Sequence, residues 1–131
     1  MNICSGCTLC CKVLGVEELA KARDVWCCHA SKGTGCAIYA DRPHTCRMFA
    51  CLWLTQNLPA EARPDRVHGV LATTDDGSHV VLHEDPGWPG YASAALSQFF
   101  SMLTRDGLVS VVVRTGESMR TVGAAIPVVL Q

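Results

Sequence analysis

Apolar positions along the second part of the chain recur with the periods of an α+β unit. Val67 to Thr73 and His79 to His83 are short runs with strand character, and Asp75-Asp76-Gly77-Ser78 between them contains the Asp-Gly step of a tight hairpin. After the breaker Pro86-Gly87-Trp88-Pro89-Gly90, Leu96, Phe99, Phe100 and Leu103 fall at i, i+3, i+4 and i+7. That stripe predicts an amphipathic helix stopping at Asp106-Gly107. Leu108 to Arg114, a turn at Thr115-Gly116-Glu117-Ser118, and Met119 to Ala125 predict a second hairpin, whose imperfect alternation suits strands covered on both faces. In the first part, Val16 to Trp26 carries Val16, Leu19, Ala20 and Arg23 with acidic Glu17 and Glu18 at its start, which predicts a short helix. Asn57 to Pro64, with Pro59 and Pro64, reads as a connection. The expected fold is α+β: a cysteine-rich region over residues 1–57 packed on a hairpin–helix–hairpin unit over 58–131, together one compact domain.

Composition sharpens this asymmetry. Val, Ile, Leu, Met, Phe and Trp number 12 in residues 1–51 and 27 in residues 52–131, while all nine cysteines lie in the first 51. Hydrophobic burial has less to act on in the first part, so something else must hold it. Structural zinc supplies apparent binding free energy on the order of 10 kcal/mol that appears as folding free energy, and an iron–sulfur cluster acts in the same way. Lys plus Arg, 11, nearly balances Asp plus Glu, 12, so no basic surplus marks a nucleic-acid partner. No apolar run is long enough to span a bilayer and no charged leader with an apolar stretch opens the chain, so a soluble, cytoplasmic protein without a membrane partner is expected.

In a reducing compartment a dense cysteine pattern points to metal or redox chemistry rather than to disulfides. The odd count and the adjacent pairs Cys10-Cys11 and Cys27-Cys28 also fit a disulfide framework poorly. Thiolates two residues apart in a turn can reach one cation at metal–sulfur distances near 2.3 Å. On a helix, Cys4, Cys7 and Cys11 would share a face and Cys10 would point elsewhere, so one short segment can serve two centres. Cys36 and Cys46 fall in apparent loop contexts, Gly33-Thr34-Gly35-Cys36 and Arg42-Pro43-His44-Thr45-Cys46.

The run Cys4-Ser-Gly-Cys7-Thr-Leu-Cys10-Cys11, followed by Trp26-Cys27-Cys28-His29, Gly35-Cys36-Ala37-Ile38-Tyr39, Arg42-Pro43-His44-Thr45-Cys46-Arg47-Met48-Phe49 and Cys51-Leu52-Trp53, resembles the CxxCxxCC family of zinc- or iron-chelating proteins, the YkgJ-like cysteine-cluster proteins. The detailed likeness covers residues 4–53. It implies eight metal ligands: Cys4, Cys7, Cys10, Cys11, Cys27, Cys36, Cys46 and Cys51. Cys28 stands where the family usually has no cysteine. Eight thiolates divide into two four-sulfur sites, each closed and tetrahedral if zinc fills it, and a bridged polynuclear cluster is the other arrangement. Cys4-x2-Cys7-x2-Cys10 also looks like three ligands of a [4Fe–4S] site, without the x3-Cys-Pro continuation. Zinc, as two ions, stands first and iron or [4Fe–4S] second. Similar motifs occur in flagellin lysine methylases, so the likeness also keeps an iron–sulfur or methyl-transfer association open.

The expected function is metal binding without an assigned reaction. The alternative is an iron–sulfur protein with an oxidoreductase or redox-sensing role. A phosphate-binding Gly-rich loop, an HExxH helix and a Gly-x-Ser-x-Gly elbow are missing from the sequence, and Cys-x-x-Cys is not in a βαβ setting. Cys28 beside His29 is a weaker candidate for a reactive thiol. His29 itself suits a supporting or packing place better than ligation. Four thiolates around Zn²⁺ leave two excess negative charges, for which Lys12, Lys32, Arg42 and Arg47 are near enough in sequence, with Arg42 or Arg47 preferred. Trp26, Tyr39, Phe49 and Trp53 are expected to shield the metal region from water. His68, His79, His83, Glu84 and Asp85 read as solvated strand-end residues rather than a second site.

Overall fold

The computed structural model describes residues 7–31, 35–49, 51–74, 79–103 and 110–122. Cys4, Lys32, the turn at 75–78, the helix stop at 106–107 and the end of the second hairpin at 123–125 lie outside the described residues.

The elements in chain order are helix α1 (Cys10–Val13), strands β1 (Ala30–Ser31) and β2 (Gly35–Cys36), helices α2 (His44–Met48), α3 (Leu52–Thr55) and α4 (Pro64–Val67), strands β3 (Gly69–Thr73) and β4 (His79–Glu84), helix α5 (Tyr91–Leu103), and strands β5 (Ser110–Thr115) and β6 (Ser118–Val122). The fold is mixed α+β, as the hydrophobic periods predict. β3 and β4 pair antiparallel, as do β5 and β6, and the two hairpins join through a parallel β4–β5 pairing into one sheet of order β3-β4-β5-β6. A parallel pair needs a long crossover, and α5 lies within it. At the β5–β6 turn Gly116 has φ +61°, the left-handed geometry that a two-residue hairpin asks of its first central residue.

Period-2 alternation gives this sheet two occupied faces. Leu71, Val80, Leu82, Val111 and Val113 point to one side and form the main core with Leu52, Trp53, Leu58, Ala62, Val67, Ala92, Leu96 and Phe100. Val70, across from His83 on β4, points to the other side and packs with Leu9 and Val13 of the cysteine region. β5 is therefore buried along Ser110–Arg114, whereas the described side chains of β6 are exposed.

The predicted helix over Val16 to Trp26 does not form. A 3₁₀ turn at Glu17–Leu19 ends at Ala20, which has φ 50°, and the chain doubles back so that Val16 and Lys21 bridge antiparallel. Among the described residues no helix is long and apolar enough to cross a membrane.

Candidate metal centre

Short elements, each tied to a neighbour, carry the cysteines. Cys10 and Cys11 open α1, and Cys7 precedes it rather than sharing a helical face. The Lys21 ammonium donates to the carbonyls of Lys12 and Ala22 at 2.9 and 3.0 Å and also to that of Leu14, so it caps the C-terminal end of α1. The N–H of Cys27 bonds the Cys11 carbonyl at 2.9 Å, fixing the second cysteine segment against the first. The N–H of Ala30 bonds the Cys27 carbonyl at 3.1 Å, and Ala30 pairs with Cys36 across β1–β2. Cys36 is thus a strand residue and Cys46 a helical one, where loops were expected for both. Thr45 donates from its N–H and its hydroxyl to the two carboxylate oxygens of Glu18, at 2.9 and 2.7 Å, anchoring α2 to the 3₁₀ turn.

These ties place Cys7, Cys10, Cys11, Cys27, Cys36 and Cys46 around one cavity of about 480 Å³. Leu14, Val16, Leu19, Ile38, Tyr39 and Phe49 supply its apolar wall, and Lys21 and Arg42 its cations. Arg42 is held by its Nε bond to the Tyr39 carbonyl at 2.9 Å and by the Tyr39 ring, 4.0 Å from its guanidinium carbon. As placed, no three His, Cys, Asp or Glu side chains among the described residues stand close enough to clasp one ion. The donor chemistry fits the group the likeness implies, because soft thiolates suit zinc and iron–sulfur clusters.

The electrostatics are those of a crowded thiol set. A hydrogen bond from the Cys10 thiol lowers the pKa of Cys11 to about 7; burial opposes this and the Lys21 charge assists it. Burial raises the Cys46 pKa, and the negative charge of Cys11, Cys27 and Cys36 raises it further. Burial pulls the Lys21 ammonium below the usual lysine range, against the attraction of Cys27, Cys11, Asp24 and Cys46. Lys21 and these sulfurs thus act on one another, and sequence distance hid it: Lys21 lies ten residues from Cys11 and six from Cys27. The positive φ at Ala20 brings it back, and alanine gives no sequence signal for that conformation.

The other predicted residues divide. Cys51 is not on the cavity wall; it bridges Ala72 at the outer edge of β3 and packs against both hydrophobic clusters. Cys28 is exposed and it, like His29, is absent from the wall. Tyr39 and Phe49 line the cavity as expected, whereas Trp53 sits in the main core with its indole N–H on the Pro59 carbonyl at 3.0 Å. Trp26 lies under the Lys12 ammonium, 5.9 Å from the ring centroid. The side chain of Arg47 falls outside the described set.

Of the strand-end residues, Glu84 and Asp85 are buried, which corrects the expectation that they are solvated, while His68, His79 and His83 are half-buried. Glu84 is 0% exposed and Asp85 5%. Asp85 takes both hydrogen bonds of Lys12, at 2.9 and 3.0 Å. Burial alone would raise the Asp85 carboxyl, but the Lys12 ammonium and the Gly87 N–H outweigh it and hold the pKa below its ordinary value. Arg114, 2% exposed, donates to His83 Nδ1 at 3.0 Å, to Asp24 Oδ2 at 3.1 Å, to the Gly116 carbonyl at 2.9 Å and to the Val13 carbonyl at 2.8 Å. Lys12 and Arg114 therefore clamp the helix that carries Cys10 and Cys11 to the rim of the sheet. No family model, curated protein or solved structure matches the chain.

Proposed function

We propose that the chain binds a transition metal through its cysteine cluster, with zinc at two four-thiolate sites as the first reading and the CxxCxxCC likeness as its family context. The supporting observation is the convergence of six cysteines from four short segments on one cavity that also contains Lys21 and Arg42. Zinc held by four sulfurs leaves no open position, so the role is chelation or metal handling without a reaction of its own. A second reading, an iron–sulfur cluster in an oxidoreductase or redox-sensing protein, draws on the size of the cavity, about 480 Å³ with a largely apolar wall, which suits a polynuclear centre better than a single ion. The proposed setting is cytoplasmic.

Anaerobic purification followed by metal analysis and an absorption spectrum tests both. The expected product is colourless with about two zinc per chain. Brown protein with acid-labile sulfide would replace zinc by the cluster, and protein taking up neither metal would overturn the proposal.

A further inference from the structure

The eight-cysteine likeness leaves open which sulfurs act together, and the packing bears on that division. Cys10 and Cys11 are consecutive on α1, so their side chains leave the helix about 100° apart. Cys10 packs with Phe49 and Cys51 against Leu9, Val13 and Val70, on the layer next to the sheet, where the bridge to Ala72 fixes Cys51. Cys11 belongs to the other side: its carbonyl holds the Cys27 N–H at 2.9 Å, and the turn from Cys27 to Ala30 delivers the strand whose partner is Cys36. Cys46 joins them from α2, which Glu18 anchors through Thr45. Lys21, fixed by backbone carbonyls, and Arg42, fixed on Tyr39, line the same cavity as these four sulfurs; Cys7 and Cys10 reach that wall too, Cys10 from the sheet-side layer, whereas Cys51 does not.

Resting on the metal-binding reading, we infer that Cys11, Cys27, Cys36 and Cys46 form one four-thiolate centre with Lys21 as its fixed counter-cation, and that Cys10 and Cys51 serve a second, adjoining centre. Four thiolates on Zn²⁺ carry two excess negative charges, and Lys21 and Arg42 are two positive ones on the same wall. The two centres abut at the Cys10-Cys11 step, where the two residues are consecutive on α1.

The test uses the full chain, stripped of metal under reducing conditions and reloaded with Zn²⁺ for counting, then with Co²⁺ for its thiolate charge-transfer band. The wild type takes two equivalents. Cys27→Ser with Cys46→Ser is expected to lose one of them, because both residues serve one centre. Cys46→Ser with Cys51→Ser is expected to lose both. A Cys27/Cys46 double variant that loses both equivalents, or a Cys46/Cys51 double variant that keeps one, overturns the division. Lys21→Met gives a check that leaves every sulfur in place: one equivalent weakens by about tenfold or more, the other is unchanged, and Lys21→Arg restores it. Equal weakening of both equivalents counts against the division. A wild type that takes up neither Zn²⁺ nor Co²⁺ defeats the metal reading itself, an outcome distinct from any of these.

Discussion

His83 shows how far one residue's role departs from its place in the sequence. A histidine at a strand end reads as solvated, yet burial, and after it the Arg114 charge, push its pKa down to about 4, with Asp24 opposing and Arg23 assisting. The neutral ring accepts the Arg114 Nε–H at Nδ1 and meets the Phe49 ring edge-on at 6.3 Å. In the unfolded chain the same imidazole titrates near 6.5. Between these values the unfolded state binds a proton that the folded state refuses, so stability falls as pH drops from about 6.5 to about 4. The expected contribution is on the order of 3 kcal/mol across that window. Below it, Glu84 and Asp85, both held under their ordinary values, add their own loss. Urea unfolding at pH 7, 5.5 and 4.5 should show a shallower fall in His83→Gln than in the wild type; parallel curves would remove His83 from the account. Among the candidate ligands, residue identity and spacing were legible in the sequence. The places of Lys21 on the cavity wall and of Arg114 at the clamp were not, because an αL alanine and a pairing across 101 residues set them.

At the scale of elements, the strongly periodic segments were readable and the marginal ones were not. The α5 stripe and both strand pairs follow from apolar periods, but the parallel junction of β4 with β5 has no local signal: it depends on how α5 covers the sheet. The Val16 to Trp26 segment has a helical stripe too short to outweigh the tertiary ties of Lys21 and Glu18. Two devices seat α5. Glu84 reaches the start of the helix, accepting from the N–H groups of Gly90 and Ser93 at 3.0 Å each and from the Thr115 hydroxyl at 2.7 Å. Gly69 lets the helix approach the sheet: a Cβ there would lie 2.5 Å from that of Ala92 and 3.0 Å from Leu82 Cδ1. Gly69→Ala is therefore expected to cost roughly 1–3 kcal/mol through overpacking. Chemical denaturation measures it, and Gly69→Ala with Ala92→Gly should recover part of the loss. An unchanged midpoint in the single variant would mean that α5 shifts freely.

For the whole molecule, the main hydrophobic core lies between the sheet, α5 and the segment from Leu52 to Val67, whereas among the described residues before Cys51 only Cys7, Leu9, Val13 and Val16 belong to the buried apolar set. On the metal-binding reading proposed above, removing the metal should therefore uncouple the two layers. Hydrogen exchange on the chelated, reduced protein is expected to keep protection along β3, β4 and β5 and to lose it over residues 7–46. Uniform retention would show that the Lys12–Asp85 and Arg114 clamps hold the cysteine region unaided. Those clamps also impose an order on synthesis. The Arg114 bond to Val13 spans 101 residues, and the parallel strand that carries Arg114 pairs only after the whole of α5 has been made. The cysteine segments are therefore made before the sheet surface against which Leu9 and Val13 pack exists. Synthesis of the thiols and closure of the finished domain are separate events in time, with Arg114 as the latch that ends the interval.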